Sequence, residues 1–170
     1  HQVDVVRRLA GSPVRSVRAQ TGAWDPDRPT EGAYQAFLAF ESGATAMLSY
    51  SGYGRYDTDA LMGWISETGQ PKDPALYGAA RLKLAGMAEH ELKRRRAYGS
   101  GPPDPPDPSR RHEHFGHVIA SCERADLRPT ATGVEIYAHD GRRTIDLPPG
   151  PTPRVGVIHE LCRAVVAGVP

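Results

Sequence analysis

A chain of 170 residues has the length of one ordinary domain, and a single domain over 1–170 is expected. Lys and Arg number 21 against 20 Asp and Glu, a net charge of +1 that lacks the basic excess of a nucleic-acid or membrane-surface protein. Hydrophobic residues make up 39% and charged residues 24%, enough for a modest core, and no apolar run approaches the ~18 residues of a membrane span.

The chain opens His1-Gln2-Val3-Asp4, with no basic stretch followed by an apolar one, and so shows no secretory signal. No Met precedes a helical pattern that starts at once, which leads us to expect an excised piece of a longer chain. Val3, Val6 and Ala10 fall at helical spacing, predicting a helix from His1 to Leu9 that Gly11 stops. His1 and Asp4 lie on an adjacent face, three residues apart. Pro13 blocks continuation, and Val14 to Thr21 reads as a strand. Trp24 to Pro29 is a loop of turn formers. Glu31 to Phe40 then alternates, with Tyr34, Ala36, Leu38 and Phe40 on one face. Ala44 to Ser51 answers with Ala44, Ala46, Leu48 and Tyr50, which predicts a hairpin.

Asp73 to Tyr98 reads as one or two helices ending in the basic run Lys93 to Arg96. The proline-rich Gly101 to Pro108 is an extended connector, within an insertion at about 57–112. A strand pair is expected over Phe115 to Ser121 and Ala125 to Arg128. A second hairpin joins Val134–Ala138 to Arg143–Leu147, with Asp140-Gly141 at the tight turn. A last helix, Pro153 to Val166, takes Thr152 as its cap. The fold class is α+β: a mainly antiparallel open sheet with flanking helices.

Few short motifs stand out. The imidazoles of His112, His114 and His117 could converge on a metal, but their spacing fits no closed zinc pattern and no metal is expected. Lys93 to Arg96 with Arg81 and Lys83 could bind phosphate; a solvated helix end is the better account. Cys122 and Cys162 are too few for a disulfide scaffold, which points to a reducing, cytoplasmic compartment. No Gly-x-Gly-x-x-Gly or Gly-x-x-x-x-Gly-Lys occurs, so this chain has no usual route to a dinucleotide.

His1-Gln2-Val3-Asp4 followed by Leu9-Ala10-Gly11 resembles the opening of the C-terminal domain of Gfo/Idh/MocA oxidoreductases. Further stretches are similar to one branch of that family: Thr21 to Pro26, Arg28 to Tyr34, Tyr50 to Tyr53, Gly63 to Ile65 and Ser121 to Arg124. That branch is named for dehydrogenating phthalate 4,5-cis-dihydrodiol. The resemblance extends over essentially the whole chain.

It implies a substrate and oligomerisation domain, resembling the GAPDH-like C-terminal domain, without the N-terminal Rossmann domain that carries NAD or NADP. The implied reaction moves a hydride from a hydroxyl-bearing ring carbon to the nicotinamide while the hydroxyl proton leaves. His1 is then implied as acid–base, since imidazole titrates near neutrality, and Asp4 as its orienting partner. A dicarboxylate substrate would call for cations, with Arg55 after Tyr53 the first candidate and Lys72 and Arg124 weaker ones. The alternatives are a sugar or cyclitol dehydrogenase, or a non-catalytic assembly module. For the latter, the family's sheet commonly supplies a homo-oligomer interface. In every case the fragment alone is expected to be inactive and to hold no cofactor.

Overall fold

The computed structural model describes residues 1–29, 31–84, 86–98, 107–148 and 155–168. These fall into two compact units. The first comprises His1–Ala60 and Lys72–Asp107; the second comprises Leu61–Pro71 and Pro108–Pro170.

In the first unit, helix α1 (Gln2–Ala10) is followed by strands β1 (Val14–Gly22), β2 (Ala33–Phe40) and β3 (Thr45–Ser51). They form a three-stranded antiparallel sheet in the order β1-β2-β3. A nine-residue helix is too short to persist alone in water, so α1 depends on docking. Val6 and Ala10 supply it by packing on Leu38, Phe40 and Leu48, the centre of the core. Gly11 ends the helix with φ 59, a left-handed cap whose N–H donates to the Arg7 carbonyl. The period-two alternation of β2 puts Tyr34, Ala36, Leu38 and Phe40 under α1. The reverse face carries Phe37 opposite Met47, which is 86% exposed.

The run from Asp73 divides rather than continuing as one helix. A 3₁₀ turn at Pro74–Leu76, capped by the Asp73 carboxylate, precedes helices α2 (Ala79–Leu84) and α3 (Glu89–Tyr98). Residues 101–106 of the proline-rich connector lie outside the described residues.

The second unit holds a four-stranded antiparallel sheet, order β4-β5-β6-β7 (Ala120–Ser121, Ala125–Pro129, Gly133–Ala138, Gly141–Asp146). Helix α4 (Val155–Ala167) comes last; the expected cap at Thr152 and Pro153 lies outside the described residues. Two sequence expectations are corrected here. The strand foreseen from Phe115 shrinks to Ala120–Ser121, because Gly116 takes φ 97 and gives its N–H to His114 Nδ1. The second hairpin turns on His139-Asp140, not Asp140-Gly141: Gly141 already pairs with Ala138 and starts β7. Antiparallel open sheets with few helices bear out the α+β class.

Candidate functional site

An open, mostly apolar depression lies at one end of the first unit's sheet, lined by Thr21, Gly22, Ala23, Gly32, Ala33, Tyr34 and Tyr50. Its wall is aromatic because β2 and β3 place Tyr34 directly opposite Tyr50, both on the α1 side. The rings stack with centroids 5.8 Å apart and planes 26° apart. The Tyr34 hydroxyl donates to Gln2 Oε1, which ties the wall to the first residue of α1. His1 immediately precedes it as the exposed N-cap, and its carbonyl accepts from Val5 N–H at 2.9 Å. Asp4 is exposed in the first turn, where a carboxylate also favours the helix dipole.

The loop leaving β3 places the other candidates. Tyr53 donates its hydroxyl to the Glu31 carbonyl at 2.8 Å, and its ring lies 6.2 Å from that of Trp24. Arg81 pins this loop by donating to the carbonyls of Tyr53 (2.6 Å) and Gly54 (2.7 Å). Arg55 is exposed, and its carbonyl accepts from the Tyr77 hydroxyl. Lys72 is differently placed: it is ion-paired with Asp57 and, at 2.9 Å, with Asp59. Burial works to lower the Lys72 pKa, but the two carboxylates outweigh it and the ammonium titrates above its ordinary value. Two anions therefore already compensate that charge. Arg124 is exposed at the β4–β5 turn of the second unit.

Three residues that sequence reasoning did not single out organise this end of the sheet. Arg28 donates through Nε (3.0 Å) and Nη2 (2.6 Å) to Glu89 Oε1, and through Nη1 to the Gly52 carbonyl. Glu89, at 8% exposure, is buried. Burial alone would lower the Arg28 pKa, yet hydrogen bonding and attraction to Glu89 raise it. Glu31 pairs with Arg28 (3.4 Å) and Lys93 and accepts from Tyr50 Oη at 3.0 Å. Arg28 and Glu31 belong to the stretch that carries the resemblance; nothing local marks Glu89, 61 residues from Arg28.

In the second unit the histidine segment is engaged with protein. His112 Nε2 meets the Pro148 carbonyl and His114 Nε2 that of Ile65, each at 2.7 Å, while His117 Nδ1 lies 3.5 Å from Arg128 Nε. Among the described residues no three His, Cys, Asp or Glu side chains are grouped to hold a metal. Glu135 accepts from Tyr137 (2.7 Å), Arg128 (2.8 Å) and Arg142 (2.7 Å). The Tyr137 hydroxyl first, then the Arg128 guanidinium, hold its carboxyl down at about 2.

A nicotinamide dinucleotide finds no fit among these residues. Every strand pair described is antiparallel, and among the described residues no strand runs through a glycine-rich turn into a helix N-terminus. Nor, among the described residues, is any helix long and apolar enough to cross a membrane.

Comparison with known proteins bears out the resemblance read from the sequence. Residues 1–65 match the GFO/IDH/MocA C-terminal domain. The 1-carboxy-3-chloro-3,4-dihydroxycyclo hexa-1,5-diene dehydrogenase of Comamonas testosteroni is 37% identical over 171 residues, covering 97% of this chain. A solved structure from Bordetella bronchiseptica RB50, provisionally named a dehydrogenase, superposes with a TM-score of 0.82 at 38% identity over 100% of this chain. The chain spans less than half of either relative, 43% of the first and 45% of the second.

Proposed function

We propose that this GFO/IDH/MocA C-terminal domain is the substrate-side part of an NAD(P)-dependent dehydrogenase that oxidises a cis-dihydrodiol of an aromatic carboxylic acid, such as phthalate. The observation that carries the reading is the stacked Tyr34–Tyr50 wall of an apolar depression, tied to Gln2, the residue after His1. A planar, unsaturated ring can lie against such a wall. A sugar or cyclitol, with a hydroxyl on most carbons, would need several more polar partners than Thr21 and two tyrosine hydroxyls that already have partners.

A nicotinamide cofactor, which these residues do not hold, would supply the hydride acceptor. This chain's share is binding and proton handling. His1 takes the proton of the substrate hydroxyl as the carbonyl develops, and Asp4, one turn along α1, orients the imidazole. Arg55 meets the ring carboxylate with a guanidinium that is exposed at the exit of β3, and Tyr53 flanks it. Lys72, already held by Asp57 and Asp59, is the weaker partner. Rearomatisation supplies the driving force, so positioning is most of the task. The relative named for a carboxylated cyclohexadiene diol supports this substrate class. Alone, the chain neither binds the dinucleotide nor turns over.

The test is an assay of the cofactor-bearing enzyme with NAD⁺ and NADP⁺ on phthalate 4,5-cis-dihydrodiol, a halobenzoate dihydrodiol, a hexose and a cyclitol. Turnover of a dihydrodiol is expected. Oxidation of the hexose or cyclitol alone would overturn the reading.

A second role rests on a different observation. The reverse face of the first unit's sheet leaves Phe37 and Met47 exposed side by side, which suits a homo-oligomer contact.

A further inference from the structure

A network of charges runs from α3 to the wall of the depression. We propose that Glu31 is a positioning residue: it sets the Tyr34–Tyr50 wall, and through Tyr34 the start of α1, from an anchor on α3.

Both carboxylate oxygens of Glu31 are engaged in different directions. Oε1 faces Arg28 at 3.4 Å and Lys93 on α3, and Oε2 accepts from the Tyr50 hydroxyl at 3.0 Å. Its backbone carbonyl accepts from Tyr53 at 2.8 Å. The carboxylate also closes directly against backbone: a Cβ at Gly52 would stand 2.1 Å from Glu31 Oε2, so only glycine admits this approach. Arg28 cannot drift, because Glu89 holds Nε and Nη2 while the Gly52 carbonyl holds Nη1.

The consequence reaches the other side of the wall. Stacking fixes how far apart two rings lie but leaves them free to slide in plane. Here the slide is fixed by the hydroxyls: Tyr50 is held by Glu31 and Tyr34 by Gln2. The contacts thus form a series, from Glu89 and Lys93 through Arg28 and Glu31 to Tyr50, Tyr34 and Gln2, which ends beside His1. A helix of the insertion, remote in sequence from α1, thereby sets where α1 begins. The contact series stands on the geometry alone; its effect on substrate rests on the reading of the depression as a dihydrodiol site.

The test is NMR of the 170-residue chain, observing the tyrosine rings and the Gln2 side-chain amide in Glu31→Gln and Tyr50→Phe. Glu31→Gln is expected to shift Tyr50, Tyr34 and the Gln2 amide, and Tyr50→Phe to shift Tyr34 and the Gln2 amide. Tyr50 is partly exposed, so removing its hydroxyl spares the core and serves if Glu31→Gln does not fold. Shifts confined to residues touching Glu31, with Tyr34 and Gln2 unmoved in both variants, would overturn the proposal. In the cofactor-bearing enzyme, Glu31→Gln is expected to raise KM for a dihydrodiol roughly tenfold, the scale of one lost hydrogen bond to a charge, with a smaller fall in kcat. Shifts at Gln2 in an enzyme that turns over no dihydrodiol would retire the substrate reading and still support the positioning role.

Discussion

Arg28, in a loop, and Glu89, in the first turn of α3, meet across 61 residues of sequence in an ion pair largely withdrawn from water. Removing Arg28 takes two charge-assisted hydrogen bonds from the buried Glu89 carboxylate, which costs more than the pair itself contributes. Arg28→Ala should therefore destabilise the chain by about 3 kcal/mol in urea denaturation. The double replacement Arg28→Met/Glu89→Met should recover most of that loss. Equal losses in the single and double variants would mean that the charges do not act on each other.

His1→Ala in the cofactor-bearing enzyme should lower kcat by roughly a hundredfold or more, the usual scale of acid–base assistance. Dinucleotide affinity should hardly change, because no cradle for it exists among the described residues of this chain. Single-turnover kinetics with fluorescence titration of the reduced cofactor separates the two quantities. Wild-type kcat in this variant would remove His1 from the chemistry.

The Glu135 carboxyl, held at about 2 against an ordinary 4.5, ties stability to acid pH. A folded-state pKa below the unfolded value contributes stability that is fully present above pH 4.5 and is lost as pH falls towards 2. Urea midpoints measured between those limits should fall with pH in the wild type and fall less steeply in Glu135→Gln. Parallel curves for the two proteins would show that the Tyr137, Arg128 and Arg142 contacts leave folding uncoupled from this proton.

Met47→Glu should abolish self-association if copies meet through the Phe37–Met47 face, since it buries a charge at the centre of the contact. Sedimentation equilibrium up to high micromolar concentration compares the two proteins. A wild type that stays monomeric throughout would dismiss the interface.

What the residues announced in advance was whatever repeats locally. Tyr34, Ala36, Leu38 and Phe40 alternate, so β2, its buried face and its partner β3 were legible from period two alone. Gly11 after an apolar stripe marked the end of α1 within a residue. Long-range pairing has no such signature. No pattern links Arg28 to Glu89, and none tells that Tyr34 and Tyr50 line a depression, because each depends on which residues the fold brings together. The strand foreseen from Phe115 is shorter than expected for a local reason: Gly116 takes φ 97 and gives its N–H to His114 Nδ1, so only Ala120–Ser121 pairs with β5.

The second unit is assembled from two separated stretches of chain. Arg111 N–H donates to the Gly69 carbonyl at 2.7 Å, and His114 N–H to that of Glu67 at 3.1 Å, so Leu61–Pro71 is completed only by the stretch that begins at Pro108. During synthesis the Gly69 and Glu67 carbonyls must wait, satisfied by water, while some forty further residues are made. At ~5–20 residues per second that interval lasts roughly 2–8 s. Over that time Ile65 can pair with Pro71 but lacks the later stretch's His114, whose Nε2 meets its carbonyl. No single cut yields both units whole: a break after Ala60 or after Asp107 separates a segment from the unit it belongs to. Dissection would instead require a linker from Pro71 to Pro108 for the second unit and one from Ala60 to Lys72 for the first.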